Sequence, residues 1–457
     1  MTIEALILFS ICFIAIVRPL WGLAILLISE CSIFYLGQFA TAKLPLGYAG
    51  PSDVFIVCLV IGSFLYAKRK QSQSQYIMNE LEYDLSRIML SAILPYLIWL
   101  AIFSLLGMIS SSGAQSFSGQ VRRTISFILP WSVIAIVWFM RDRAKDILKM
   151  VVFVASATAL VHLAIQLLDY RDVMYDAYWR SAEGIGVYQQ YKIDQEVFSR
   201  GLPQGIALMM FCLLYCFSMY MIDNGGQQNS RLFLLLYFLQ FMAIGITFTR
   251  SLMFAIIAGC FLAVAFAARM SILNNMARKR ISALIVLSII FVIVLAAVSP
   301  NIVEFWVERI NLLSVDRQIY TEDTIRGLDN LAAISAIGDR PFWGWGEFTY
   351  PNAYSLRATH STDIHPLLQL GLVGGIPCIL LFIRLLWLLL RRFWIYSRNS
   401  MDLRQVLLPY LTIIATALLV INTIGAGGTT SGPSLIAFAL FIGLMAAEVE
   451  NSENKCA

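Results

Sequence analysis

The sequence predicts an all-α, polytopic integral membrane protein of about 12–13 spanning helices, with one large non-cytoplasmic loop that carries an amphipathic helix. Three observations lead there. Of the 457 residues, 59% are apolar and only 13% are charged, about half the roughly 25% charge that solvates an ordinary soluble domain. The apolar residues gather into runs suited to crossing roughly 30 Å of hydrocarbon, where a helix satisfies its own backbone donors and acceptors. Basic clusters recur at the ends of alternate runs. A water-soluble enzyme and a disordered or fibrous chain are excluded on composition, because neither leaves so much apolar sequence facing water.

The runs fall near 3–17, 20–37, 52–67, 87–108, 124–140, 147–168, 201–222, 232–249, 251–268, 281–299, 366–390, 406–424 and 432–448. The first is short and meets the second at Arg18-Pro19, which sets the count at 12 or 13. Met1 to Val17 has neither a basic start nor a small-residue cleavage site, and so predicts a first membrane segment rather than a cleaved signal. The basic clusters are Lys68-Arg69-Lys70, then Arg141, Arg143 and Lys145, then Arg278-Lys279-Arg280, then Arg391-Arg392 with Arg398 and Arg404. Alternating spans place all four on one face, which the positive-inside rule makes cytoplasmic. The chain then divides into N-terminal helices (1–168), an outer loop (169–200), central helices (201–299), a large outer loop (300–365), C-terminal helices (366–448) and a cytoplasmic tail (449–457). A net charge of +5, spent on orientation, gives no reason to expect nucleic acid. Most of the eight cysteines lie inside apolar runs without metal-ligand spacing. No internal repeat is evident.

The loop 300–365 is too long for a bare connector. Ile325, Leu328, Leu331, Ala332 and Ile334 recur at helical spacing, with Asp323 or Thr324 to cap the start and Gly338 to end it. An aromatic turn, Pro341-Phe342-Trp343-Gly344-Trp345-Gly346, follows. The loop's bases are Arg309, Arg317, Arg326, Arg340 and Arg357, with no lysine. Arginine binds phosphate oxygens in a fork and cannot lose its proton, so the choice points to an anion site; the alternative is pairing with the loop's own carboxylates. Arg250, in Phe248-Thr249-Arg250-Ser251, stands at a break between two runs with no acid within ten residues. It either faces a cavity or snorkels to the interface. Arg200, at the foot of the run opened by Gly201-Leu202-Pro203, is a further candidate, although Asp194 and Glu196 could satisfy it. His360 and His365 directly precede the span bearing Gly371, Gly374 and Gly375. A histidine at the mouth of a membrane cavity can take or hold a proton near neutral pH. His162, inside a span, is expected to bond a neighbouring helix. There is no P-loop, no G-x-G-x-x-G opening a helix and no D-x-D.

Thr249-Arg250-Ser251, the loop helix with Arg326, Asp339-Arg340-Pro341-Phe342-Trp343-Gly344-Trp345-Gly346 and His365-Pro366-Leu367-Leu368-Gln369-Leu370-Gly371-Leu372-Val373-Gly374 occur in the order of a known family's motifs. In this the chain resembles the O-antigen polymerase and O-antigen ligase superfamily of bacterial inner membranes, over roughly 230–390. The resemblance implies a GT-C-like, multi-pass inner-membrane glycosyltransferase whose site faces the periplasm. Its donor would be an undecaprenyl-diphosphate-linked oligosaccharide, with no metal or nucleotide cofactor. Its acceptor would be another glycan or lipid A-core, with membrane lipids around it and a chain-length regulator as a partner. Arg250 and Arg326 would hold the diphosphate, His365 would assist the attacking hydroxyl, and Arg200, Arg340 and His360 are further substrate-binding candidates. Polymerisation of repeat units of a surface polysaccharide is the first expectation. The alternatives are a ligase that transfers the glycan to lipid A-core or protein, and, from another class, a lipid-linked oligosaccharide flippase or transporter. A transporter should bury ionisable residues within its spans and show repeats.

Overall fold

The structure is a computed structural model that describes residues 3–30, 51–71, 128–167, 189–193, 196–200, 205–222, 227–247, 250–269, 275–298, 325–345 and 370–381, with further helical residues within 94–106, 367–387 and 436–444. The described residues are almost entirely helical. The first two runs are separate helices, α1 (Ile3–Val17) and α2 (Pro19–Glu30). Pro19 lacks a backbone N–H and disfavours the helical conformation at Arg18, so the first run stops there and a proline opens the second. Ala15, Gly22 and Gly62 let α1, α2 and α3 (Pro51–Gln71) approach closely: a Cβ at Gly62 would lie 2.2 Å from the Ala15 carbonyl oxygen, and one at Gly22 2.8 Å from the Ala15 Cα.

The run expected over 124–140 is not one regular helix where it is described. A 3-10 turn at Leu129–Ser132, with Pro130 in its first positions, leads into α4 (Val133–Phe139). A second 3-10 turn, Arg141–Arg143, then joins α5 (Ala144–Leu167). Two basic clusters meet here. Lys70 at the end of α3 forms an ion pair with Asp142, and the Tyr66 hydroxyl donates to the same carboxylate at 2.8 Å.

Helices α6 (Ile206–Ile222) and α7 (Gln227–Gly245) form an antiparallel pair through ring contacts such as Tyr215–Phe233 and Phe217–Tyr237. Helix α6 is the core element, packed against α5, α7, α8 (Arg250–Arg269) and α9 (Asn275–Val298). Its Phe211 is fully buried and stacks on Phe441 at 4.4 Å. Arg280 in α9 donates to the Tyr220 carbonyl at 2.8 Å and lies over the Tyr220 ring. A cation is favoured at the negative end of α6. The remaining labelled helices are α10 (Ile325–Asp339) and α11 (Leu370–Leu381).

One short hairpin accompanies the helices. Strands β1 (Gln189–Ile193) and β2 (Glu196–Arg200) pair antiparallel, with Tyr191 opposite Phe198 and Lys192 opposite Val197. Two residues separate strands rich in aromatic and β-branched side chains, which is the sequence pattern of a hairpin.

Among the described residues one helical stretch, Arg141–Ile165, is by itself long and apolar enough to cross a membrane; shorter apolar helices include Leu6–Val17, Pro19–Ser29, Ile206–Met221, Ser230–Gly245 and Leu370–Leu381. Large apolar side chains also cover outward faces. Phe153 and Phe261 are each 70% exposed, and Phe9, Phe13, Ile257 and Ile293 are all more than half exposed.

Candidate functional site

The best-defined part of the expected site is the joint between α10 and α11. Helix α10 ends with the Arg340 N–H donating to both Ala336 and Ile337 carbonyls, a tightening that precedes Pro341. Gly338 therefore does not end the helix. It lies inside it, and the stop comes from Pro341, which has no N–H to continue the ladder. The chain then turns: the Gly344 N–H donates to the Arg340 carbonyl at 3.2 Å, and Gly344 takes a φ of +66°.

Two backbone bonds fasten this turn to the segment that leads into α11. The Trp345 N–H donates to the Leu368 carbonyl at 3.0 Å, and the Leu372 N–H donates to the Pro341 carbonyl at 2.6 Å. In an unbroken helix Leu372 would donate to Leu368 itself, four residues back. Here both groups are diverted into the turn. Gly371, at φ +66°, occupies the gap, and a Cβ there would lie 2.3 Å from the Phe342 carbonyl oxygen and 2.6 Å from the Gly344 nitrogen. Glycine is required on both counts.

Trp345 closes the joint. Its ring is buried with Ala333, Ala336 and Leu368, and its indole N–H donates to the Ala336 carbonyl at 2.7 Å. The apolar stripe is thus displaced from the one expected: Ala333 and Ala336 face inward, while Ile334 is 46% exposed. Small residues lie where the indole must fit. Further along α11, the Trp99 indole donates to the Gly374 carbonyl at 2.9 Å.

The candidate arginines separate into distinct positions. The Arg340 guanidinium carbon lies 4.1 Å from the centre of the Trp345 ring, a cation–π contact worth about 0.5–2 kcal/mol. Arg326 is the second residue of α10, so Arg326 and Arg340 stand at opposite ends of one helix, about 21 Å apart along its axis. One phosphate cannot be held by both. Arg250 is the first residue of α8, directly beyond the turn that ends α7, where the Thr247 hydroxyl donates to the Ile244 carbonyl. Arg250 and Arg326 both occupy the first turn of a helix, the positive end of the backbone dipole, where a cation gives no capping benefit and where anions bind. Arg200 is the last residue of β2, opposite Gln189, rather than the foot of the next helix, which begins at Ile206. His360, His365, Arg309, Arg317 and Arg357 lie outside the described residues.

His162 has no exposed surface in α5, and among the described residues neither ring nitrogen has a hydrogen-bond partner, so the expected bond to a neighbouring helix is not made there. Gln240 does make an interhelical contact, to the Ser156 hydroxyl at 3.5 Å. Among the described residues no group of three histidines, cysteines or carboxylates is placed to hold a metal ion. Trp99 is the residue that sequence reasoning passed over; Trp345 was read as part of the aromatic turn, without its partners Ala336 and Leu368. The Gly-Trp-Gly and Gly-x-x-Gly segments do not say what pairs with what. No family model matches this chain, and no curated protein matches it.

Proposed function

We propose that the protein is a polytopic inner-membrane glycosyltransferase that acts at the periplasmic face on an undecaprenyl-diphosphate-linked glycan and polymerises repeat units of a surface polysaccharide. Membrane residence is supported by helices whose outward faces are apolar, with Phe153, Ile257, Phe261 and Ile293 exposed. So many large apolar side chains turned outward suit a lipid surrounding better than water. The observation that carries the site is the backbone joint of Trp345 to Leu368 and Leu372 to Pro341. It makes one structural unit of two segments on which the resemblance rests, the Arg340–Gly346 turn and the stretch that follows His365. The chemistry needs fixed cations where a diphosphate leaves and an acceptor hydroxyl beside a group that can take its proton. Arg250 and Arg326 take the first part, and His365 takes the second.

Glycan length and amount, measured in cells that carry single variants, test this reading. Arg250→Lys keeps the charge but loses the fork, and is expected to abolish long glycan while the protein remains in the membrane. His365→Ala is expected to do the same and His360→Ala only to reduce it. Normal glycan in the Arg250→Lys strain contradicts the reading, and the reverse histidine ranking reassigns the base to His360. One observation favours the transporter reading: His162 is a buried ionisable side chain without a hydrogen-bond partner among the described residues.

A further inference from the structure

We propose that the turn after α10 is a lipid anchor, in which Phe342 and Trp343 lie at the headgroup–acyl boundary of the outer leaflet and hold the Arg340–Trp345 pair at phosphate depth. The proposal rests on the membrane-spanning part of the reading above and not on its chemistry. Phe342 is 61% exposed and Trp343 50% exposed, while the next two residues, Gly344 and Trp345, are buried. The turn is fixed by its bonds to Leu368 and Leu372, so two large aromatic side chains are held outward by a rigid backbone.

Their surface is continuous with the span they are fastened to. Val373, Ile376, Leu380, Ile383 and Trp387 are all exposed and succeed one another at steps of three and four residues, which is one face of a helix. That strip begins beside Leu372, whose N–H is bonded to the residue preceding Phe342. Arg384 is the first exposed charge along it, about 18 Å beyond Leu372 by helical rise. Arg391-Arg392 follow Trp387 in the sequence. Aromatic side chains therefore bracket an apolar strip of about 22 Å, with Arg340 in the turn at one end and Arg384, Arg391 and Arg392 toward the other. This is the layering of a bilayer, in which Trp sits at both interfaces and long cationic side chains reach the headgroups on either side of the apolar middle. A second copy of the chain would need no such layering along the strip. The occupant is accordingly phospholipid.

The test uses the full chain in phospholipid vesicles and the emission of its tryptophans, ten in all. Lipids brominated near the headgroup are compared with lipids brominated near the chain end, for the wild type and for Trp343→Phe, which keeps an aromatic ring in the turn. The shallow quencher is expected to remove a component of the emission that Trp343→Phe lacks, and the deep quencher to spare it. Moving the indole one position, with Phe342→Trp in the Trp343→Phe background, is expected to restore that component. If other tryptophans are quenched and neither position 342 nor 343 is, the anchor is overturned while the membrane reading stands. If no brominated lipid quenches any part of the emission, the membrane reading itself fails and the anchor with it.

Discussion

His162 sits fully buried, with both ring nitrogens unbonded among the described residues. An unsatisfied buried polar group costs about 1–3 kcal/mol, so His162→Leu is expected to raise the melting temperature. If the protein is a glycosyltransferase with its site at the outer ends of the helices, the same variant keeps its transfer activity. Loss of activity in a stable, correctly inserted His162→Leu protein would favour the transporter instead. At Trp345 three contacts converge on one residue: the indole bond to Ala336, the backbone bond to Leu368 and the ring beneath Arg340. Trp345→Phe removes only the first, a loss of about 1 kcal/mol, whereas Trp345→Ala empties the joint for about 3–5 kcal/mol. Thermal unfolding is expected to rank the two variants in that order, and equal midpoints would mean that the ring does not support the joint. The helix-opening position of Arg250 was legible in the sequence, because it stands between the apolar runs 232–249 and 251–268. The stacking of Arg340 on Trp345 was not, because it depends on a turn whose hydrogen bonds come from another segment.

At the level of elements the joint between α10 and α11 is the most sensitive feature. Gly371→Ala sets a Cβ against the Phe342 carbonyl and asks alanine to adopt φ +66°. Alanine rarely enters that region. The variant is expected to insert and retain its helices but to lose transfer activity, with faster proteolysis after Arg340 and within the loop; activity equal to wild type would show that the joint does not set the site. The sequence made α10 legible as a helix because its apolar spacing is periodic, yet it misplaced the buried face and the stop. Ala333 and Ala336 carry little hydrophobic signal but are the positions that an indole covers. Pro341 ends the ladder more firmly than Gly338. The hairpin at Gln189–Arg200 was missed for a related reason: five-residue strands between two long apolar runs read as a polar loop until their pairing is known. The first two runs, by contrast, divide where Arg18-Pro19 says they should.

Across the whole molecule, the sorting of charge is the feature that ties sequence to architecture. The clusters at 68–70 and 141–145, expected to share a face, meet at Asp142. Helical class and the helix α10 were legible from composition and periodicity alone. The way α6 gathers α5, α7, α8 and α9 around Phe211 was not, since nearly every run is apolar on all sides. Orientation is open to direct labelling. Cysteines placed at Ile185 and Ser335 are expected to react with an impermeant reagent added outside intact cells, and one at Arg69 only after lysis. Among the described residues the native cysteines are buried or half-buried, which favours a low background. Protection of both outer positions would invert the topology. The central claim is transfer from a lipid-linked donor, and purified protein incubated with undecaprenyl diphosphate glycan as the sole substrate tests it most directly. A ladder of products lengthening by whole repeat units is the predicted result. No new product, either alone or after addition of lipid A-core, would contradict it.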